Sequence, residues 1–372
     1  MIKNFASVCR GVSAALAVFF SAICVQNAAA VGTVFPWGGG QTAPTTPPTN
    51  VTAISCSVDH SLARLANGMV IAWGNDMDGQ CDVPSGLTNV AAVAAGEFFS
   101  LALKSNGTVV AWGSDDSGQC DLPTNLVNVT AISAGHAHAI AMKSDGSVVV
   151  WGSGAFGQTN VPSGVTHPLA VLAAGNYCVA LMAGNKLVAW GIDDAGQLDY
   201  PTNLPNIISL AGNKSYVMAL LTGGTVTTWG AAPPVPPKLS NVKAIAAGEY
   251  HSLAALTNGA VVAWGSNQSG ETSAPNVTGA TAVGGGWSYS LALAQSSVQI
   301  PVPVTLNNPF YSQGAFSVSF QSQVGTSYAL QYTTALGSGW TDLSPVPGNG
   351  GVATATDSSA ASAQRFYRVR EQ

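Results

Sequence analysis

The chain has 372 residues, twelve Lys plus Arg against seventeen Asp plus Glu, and a formal net charge of −5. Charged residues make up only 8% of it, against about a quarter in an average soluble chain, and no basic block occurs. Binding to DNA or RNA requires a positive electrostatic footprint, so nucleic-acid partners and anionic membrane surfaces are excluded as expectations.

The first predicted element is a leader. Lys3 and Arg10 precede the apolar stretch VSAALAVFFSAICV and the small residues Ala28-Ala29-Ala30. That order reads as a secretory signal peptide over 1–30, cleaved after Ala30. Cys24 raises the question of a lipid anchor, but Ile23 stands where such a signal wants a small residue. The rival reading is an uncleaved anchor. Cleavage would remove two basic residues and no acids, leaving a formal charge of −7. A secreted or periplasmic location follows, with no membrane insertion of the mature chain.

From residue 33 onward one signal dominates. Trp-Gly pairs stand at Trp37, Trp73, Trp112, Trp151, Trp190, Trp229 and Trp264, in steps of 36, 39, 39, 39, 39 and 35 residues. A step that regular marks one supersecondary unit copied along the chain. Within one copy, NVAAVAAG, FFSLALK and TVVAWG read as three strands, and SDDSGQCDLP as a turn-rich excursion with at most a short fourth strand at its proline. Asn67-Gly68, Asn106-Gly107, Asn258-Gly259 and Asp145-Gly146 predict two-residue hairpin turns.

The alternating strand also appears in seven copies, at 60–65, 99–104, 138–143, 178–183, 216–221, 251–256 and 289–294. The two sets are out of phase. The strand around Trp37 has no alternating strand before it, and the strand at 289–294 has no Trp-Gly strand after it. Pairing these two orphans closes a ring, which removes exposed edge strands. The expected fold is all-β: a seven-bladed β-propeller over 33–295, closed by its N- and C-terminal strands. Seven equivalent tryptophans read as packing between blades, and the glycine after each lets the chain turn away. Gly96, Gly135, Gly175, Gly248 and Gly286 precede the alternating strand at one register, with Ser57 and Asn213 in two other copies. Glycine and asparagine both tolerate left-handed backbone, so a fixed turn near the axis is expected there.

Four cysteines follow the leader: Cys56, Cys81, Cys120 and Cys178. Cys81 and Cys120 are repeat equivalents, which should stand too far apart for a bridge. Free thiols are expected.

The segments AAG-x-x-H-S-L-A-L, N-G-x-V-x-A-W-G and G-Q resemble the repeat of the regulator of chromosome condensation. The longer form A-W-G-x-x-x-x-G-Q-x-x-V/L-P is similar to the bacterial secreted branch, which includes the propeller-type β-lactamase inhibitor protein. The resemblance implies a seven-bladed propeller whose loop faces bind proteins. The exchange-factor and chromatin roles of eukaryotic members do not carry over to an acidic exported chain. Two excursions depart from the pattern: GGGQTAPTTPP after Trp37 and AAPPVPPK after Trp229.

Composition shifts after Gln295. Residues 296–303 read as a linker, and 304–372 as a small β-sandwich with alternating strands. Gly325, Tyr328, Leu330, Gln331, Trp340, Leu343, Phe366, Tyr367, Arg368 and Val369 resemble a fibronectin type III-like accessory module.

Catalytic chemistry finds little support. His60, His138 and His251 share a register with Phe99, Cys178, Tyr216 and Tyr289, so that position packs or hydrogen-bonds and is no shared metal ligand. His136 lies two residues before His138, and a third ligand cannot be named; His167 stands in a turn. Acids cluster at Asp76, Asp78 and Asp82, at Asp115, Asp116 and Asp121, and at Asp193, Asp194 and Asp199. NDMDG has some calcium-loop character but lacks the final Glu, and aspartate also suits turns. No metal or cofactor is expected. No G-x-S-x-G, phosphate loop or nucleophile–base spacing occurs.

A binding face is better supported. The two residues after each register glycine vary while the strand stays constant: Glu97 and Phe98, His136 and Ala137, Asn176 and Tyr177, Glu249 and Tyr250, Trp287 and Ser288, with Lys214 and Ser215, and Val58 and Asp59, in the other copies. Phe98, Tyr177, Tyr250 and Trp287 form an aromatic set of the kind that dominates interfaces. The expectation is a monomeric, exported, non-catalytic module that binds an extracellular or periplasmic protein or glycan. The alternatives are a polysaccharide hydrolase or lyase at the channel mouth, and a structural envelope or matrix protein.

Overall fold

Each Trp-Gly pair ends the third strand of a small antiparallel sheet. The computed structural model describes residues 31–39, 44, 47–295, 307–312, 315–321, 327–334, 341–347, 352–359 and 365–371. The expected leader (1–30) and linker (296–303) lie outside them, as do Gly325, Trp340 and much of the excursion after Trp37. The chain divides into two compact units between Ser297 and Val298.

Among its described residues the first unit is built from strands apart from one 3-10 turn at Ala183–Asn185. Its opening strand is β1 (Gly32–Gly38). Then come β2 (Val51–Cys56), β3 (His60–Leu65) and β4 (Val70–Gly74); β5 (Val90–Ala95), β6 (Phe99–Lys104) and β7 (Val109–Gly113); and β8 (Val129–Ala134), β9 (His138–Lys143) and β10 (Val148–Gly152). They are followed by β11 (Ala170–Ala174), β12 (Tyr177–Met182) and β13 (Lys186–Gly191); β14 (Ile207–Gly212), β15 (Tyr216–Leu221) and β16 (Val226–Gly230); and β17 (Val242–Ala247), β18 (His251–Leu256) and β19 (Val261–Gly265). The last two are β20 (Ala280–Gly285) and β21 (Tyr289–Gln295).

Each triplet is a meander with its second strand in the middle, and β20–β21 gain β1 as their third strand. That pairing runs from Gly32 opposite Gln295 to Gly38 opposite Tyr289. The first strands touch in sequence, β2 to β5, β8, β11, β14, β17 and β20, and β20 touches β2. This is a β-propeller architecture of repeated three-strand sheets. No fourth strand forms at the loop prolines among the described residues.

The Trp-Gly glycines have a physical requirement. All seven have positive φ, from 83° at Gly230 to 118° at Gly74. A Cβ at Gly113 would also stand 2.7 Å from the Phe98 carbonyl oxygen. The Asn-Gly hairpins differ from the expected two-residue turns. Gly68, Gly107, Gly146 and Gly259 take positive φ, but the residue before each does not. Leu65 accepts from Gly68 N–H at 3.0 Å, and Asn67 Oδ1 accepts from Met69 N–H at 3.0 Å. This is a longer turn with one left-handed glycine, in which the Asn side chain holds the backbone.

The tryptophans sit at the seams between successive sheets. Trp112 Nε1 donates to the Gln80 carbonyl at 3.0 Å, Trp151 to Gln119 at 3.0 Å, Trp190 to Gln158 at 2.8 Å and Trp229 to Gln197 at 2.9 Å. Trp37, partly buried, donates to the Glu271 carbonyl at 2.9 Å. The Gln side chain meanwhile ties its own loop, as where Gln119 Oε1 accepts from Ser117 N–H at 2.8 Å. That explains the G-Q element: one residue fixes a loop inwardly and clasps the next sheet outwardly. Trp264 is the exception. The loop before it is AAPPVPPK, and its buried Nε1 has no partner. Trp112→Phe should therefore cost about 1 kcal/mol more than Trp264→Phe, because only the first forfeits a hydrogen bond. Urea unfolding of both variants measures this; equal midpoints would contradict the clasp.

The second unit contains β22 (Asn307–Ser312), β23 (Ala315–Gln321), β24 (Ser327–Thr333), β25 (Thr341–Pro347), β26 (Val352–Asp357) and β27 (Phe366–Glu371). They form two three-stranded sheets, β22-β23-β26 and β25-β24-β27. Both contribute to one core of Val318, Phe320, Tyr328, Leu330, Ala353 and Ala355. Arg365 reaches the buried Asp357 carboxylate at 2.5 Å and lies over the Tyr332 ring at 4.2 Å.

Candidate functional site

Small residues let the first strands crowd together. Ala95, Ala134, Ala174, Gly212, Ala247 and Gly285 end these strands around a cavity of about 250 Å³. The variable loop residues surround its mouth. The loops are locked to one another: Glu97 N–H donates to Gly135 O at 3.3 Å, His136 to Gly175 at 2.8 Å, Glu249 to Gly286 at 3.0 Å and Trp287 to Val58 at 2.8 Å. Asn213 reaches Glu249 O through its side chain at 3.1 Å.

Below the mouth runs a belt of planar rings, and here the structure corrects the expected register. The residue paired with each Trp-Gly glycine is His60, Phe99, His138, Tyr177, Tyr216, His251 or Tyr289. Cys178 pairs instead with Trp190, the place held elsewhere by Ser61, Ser100 and Ser252. The turn between Gly175 and β12 is one residue short, and Gly175 alone of the register glycines adopts positive φ, 40°. Tyr177 is consequently fully buried, with its hydroxyl donating to Tyr216 O at 2.9 Å. It belongs to the belt and not to the binding face, so that assignment falls. Counting back from the tryptophan would have found it. Each ring up to His251 lies thirteen residues before its tryptophan, and Tyr177 keeps that interval to Trp190.

The belt links neighbouring sheets chemically. His60 Nε2 meets Ser100 Oγ at 2.9 Å and His251 Nε2 meets Ser290 Oγ at 2.8 Å. Tyr216 OH meets Ser252 Oγ at 2.8 Å, and Tyr289 OH meets Ser61 Oγ at 3.0 Å. Where the ring is Phe99, the next sheet offers Ala139. His138 Nε2 lies 3.3 Å from Cys178 Sγ. That contact has the look of a nucleophile–base pair, yet it is one more link of the belt. Burial raises the Cys178 thiol far above its ordinary range, and a neutral thiol is a poor nucleophile.

The belt also explains Gly96, Gly135, Gly248 and Gly286, and the expected left-handed turn does not. None has positive φ. A Cβ would lie 2.0 Å from Phe99 Cε1, 2.3 Å from His138 Cε1, 2.3 Å from His251 Cε1 and 1.9 Å from Tyr289 Cε1 respectively. The ring occupies the space of the missing side chain. Ser57 instead aims its hydroxyl at His60 Nδ1, 2.9 Å away. Nothing in the structure gives His138 or His251 Nδ1 such a partner.

Burial holds all three belt histidines at about 4, below the 6.5 of a free imidazole. Their neutral forms are favoured on folding. The stability they confer is intact above pH 6.5 and is lost as pH falls from there through 4. Tm measured between pH 7.5 and 4.5 should drop, and the His60→Phe/His138→Phe/His251→Phe variant should flatten that slope. An unchanged slope would place the acid sensitivity elsewhere.

On the rim, Tyr250 and Trp287 are 57% and 56% exposed. Phe98 is half-buried against His136, with ring centroids 6.2 Å apart. His136 Nε2 contacts Glu97 Oε2 at 2.7 Å. Burial raises the Glu249 carboxyl, opposed by Lys214 and reinforced by Glu97. The loop aspartates point elsewhere: Asp76, Asp115 and Asp193 accept from Cys81, Cys120 and Leu198 N–H at 2.7, 2.7 and 2.9 Å. They are turn locks. Cys56, Cys81, Cys120 and Cys178 are all unbridged.

Four segments, 51–80, 90–119, 129–158 and 242–271, match the family model for the regulator of chromosome condensation (RCC1) repeat. No curated protein matches the chain. Among solved structures, Prp20p from Saccharomyces cerevisiae is similar at 19% identity and TM-score 0.61, over 75% of this chain and 94% of that one. Yeast RCC1 (Prp20) bound to Kap60 is similar at 20% and 0.60, over 79% and 96%. Human WBSCR16 follows at 18% and 0.59, over 72% and 100%. Four of the repeats thus match the RCC1 repeat model, and the first unit shares the propeller fold of these structures.

Proposed function

We propose that the chain is an exported, non-catalytic binding protein that holds a protein partner on the loop face at the mouth of a seven-bladed propeller. Two exposed aromatics on one rim, Tyr250 and Trp287, carry the reading. Large apolar side chains kept in water beside charged groups are the usual anchors of an interface. RCC1-type propellers serve as protein-binding scaffolds: the similar Prp20p is described with Gsp1p and histones, and yeast RCC1 with Kap60. A glycan is the second class of partner. Three contacts support ring closure across the chain ends: the β1–β21 pairing, Trp287 N–H to Val58 O at 2.8 Å, and Tyr289 OH to His60 O at 2.9 Å. The leader composition supports export, and the longer Trp-Gly loop pattern supports kinship with the bacterial secreted branch. The paired sheets of the second unit support a fibronectin type III-like module.

The mature chain, immobilised and exposed to the exported proteins of its own host, should retain a partner. Phe98→Ala/Tyr250→Ala/Trp287→Ala should abolish retention while leaving Tm unchanged. Retention by that variant at wild-type strength would refute the face.

A further inference from the structure

We propose that the hairpin end of the first unit, opposite the loop face, docks on an anionic lipid bilayer. This goes beyond the partner reading, because it uses the other end of the same strands.

The fold sorts the charges. The middle strand of each sheet runs from the loop face to a hairpin, and the first strand starts at the hairpin end. Arg64, Lys104 and Lys143 stand in the last two residues of β3, β6 and β9, and Lys186 opens β13. Asp145 is the one acid at that end, and Lys143 Nζ meets its carboxylate at 3.5 Å. Every other Asp and Glu between residues 31 and 295 lies in the loops of the opposite face, from Asp59 to Glu271. Arg64, Lys104 and Lys186 have no ion-pair partner among the described residues. Arg64 is braced by its Nε, which donates to Val90 O at 2.8 Å.

The same end keeps apolar side chains in water. Met69, Val127 and Leu169 are 48%, 49% and 51% exposed. Met69 sits in the β3–β4 hairpin, and Val127 and Leu169 lie just before β8 and β11. Backbone bonds tie these segments to the neighbouring hairpins. Val90 and Val129 N–H donate to Gly68 and Gly107 O at 3.0 Å each, and His167 N–H to Gly146 O at 2.7 Å. The bases and the apolar side chains therefore share one arc, the four sheets from β2 to β13. On the rest of the ring the hairpins at 222–225 and 257–260 carry no charge, and Lys243 on β17 is the one base at this end.

Bases interleaved with exposed apolar side chains fit a bilayer surface. There the cations meet lipid phosphates while the apolar groups reach the acyl boundary. A hydrated acidic polysaccharide would engage the bases alone. The net charge argues against anionic surfaces only because it sums both ends. A six-residue strand such as β6 spans about 20 Å, and charges are screened over about 8 Å at physiological salt. The acidic loops thus stand out of range of a surface that touches the hairpins.

The test sediments the full mature chain with vesicles of phosphatidylcholine alone, or with about 40% phosphatidylglycerol, in about 0.1 M NaCl. Saturable binding to the mixed vesicles and none to phosphatidylcholine is expected. Lys104→Gln and Lys186→Gln should each weaken it about fivefold, and Met69→Ser/Leu169→Ser about tenfold together. All four positions are exposed or half-buried, and an unchanged Tm certifies each fold. Tyr250→Ala/Trp287→Ala, on the other face, should bind vesicles as wild type does. Equal binding to both vesicles, or wild-type binding by Lys104→Gln/Lys186→Gln, would overturn the surface. Loss of vesicle binding in Tyr250→Ala/Trp287→Ala alone would move the contact to the loop face and overturn it too. Alginate bound as tightly as the mixed vesicles, with Met69→Ser/Leu169→Ser affecting neither, would replace the bilayer by an acidic polysaccharide. Partner retention by the loop face is read separately, so either proposal can fail while the other stands.

Discussion

Val34→Asp should destabilise the propeller by about 4 kcal/mol and lower its Tm by roughly 10 °C, whereas Val31→Asp should change little. Val34 lies inside β1 opposite Leu293 and is 1% exposed, whereas Val31 precedes the strand and is 44% exposed. Val34 packs with Val51, Ile54, Leu291 and Leu293, residues drawn from both ends of the repeat array. A carboxylate there has no cation to pair with and must be buried charged or protonated, and either costs several kcal/mol. The damage should also change behaviour in solution. Losing β1 leaves β21 as an open edge carrying Leu291 and Leu293, and an apolar edge strand recruits other chains. Thermal unfolding with size-exclusion chromatography measures both effects. Equal behaviour of the two variants would mean that the β1–β21 pairing contributes little to the stability of the first unit.

A double-mutant cycle at Gly96 and Phe99 should show the second large effect. Gly96→Ala places a methyl 2.0 Å from Phe99 Cε1, and overpacking of that kind costs about 1–3 kcal/mol. Phe99→Ala empties a fully buried position and should cost about 3–5 kcal/mol. In the double variant the methyl no longer meets a ring, so the combined loss should fall at least about 1 kcal/mol short of additivity. Gly86→Ala is the control. Its φ is 77° and a Cβ there meets nothing within 4 Å, so strain is its only cost. Additive losses at 96 and 99 would return these glycines to a backbone role.

The repeat made the strands legible because every unit restates the same pattern, and errors in one copy are corrected by the others. The same redundancy misled at Tyr177. Alignment on the preceding glycine hides a one-residue deletion, and only the interval to the tryptophan exposes it. The register glycines were found for the wrong reason, since a missing side chain can admit a ring as well as a left-handed bend. Gly-Gln was visible as a motif, but the acceptor that matters is its carbonyl, which every residue has. On the candidate face, Tyr250 and Trp287 were readable from variation within the chain. The unpartnered nitrogens of His138 and His251 were not, because they depend on what Gly135 and Gly248 lack.

The Trp-to-Gln contacts run one way round the propeller, each unit offering a carbonyl forward and a ring backward. A segment cut from Cys81 through Gln119 therefore carries one half of two different seams, the Trp112 ring and the Gln119 carbonyl. Duplicated in place, it would present a ring to the unit before it and a carbonyl to the unit after it, with no new sequence needed. Arrays wired in this manner can lengthen by unequal crossing-over without passing through a mismatched intermediate. The step from Trp229 to Trp264 is where that inheritance has been broken, so copies crossing this point would not propagate the wiring.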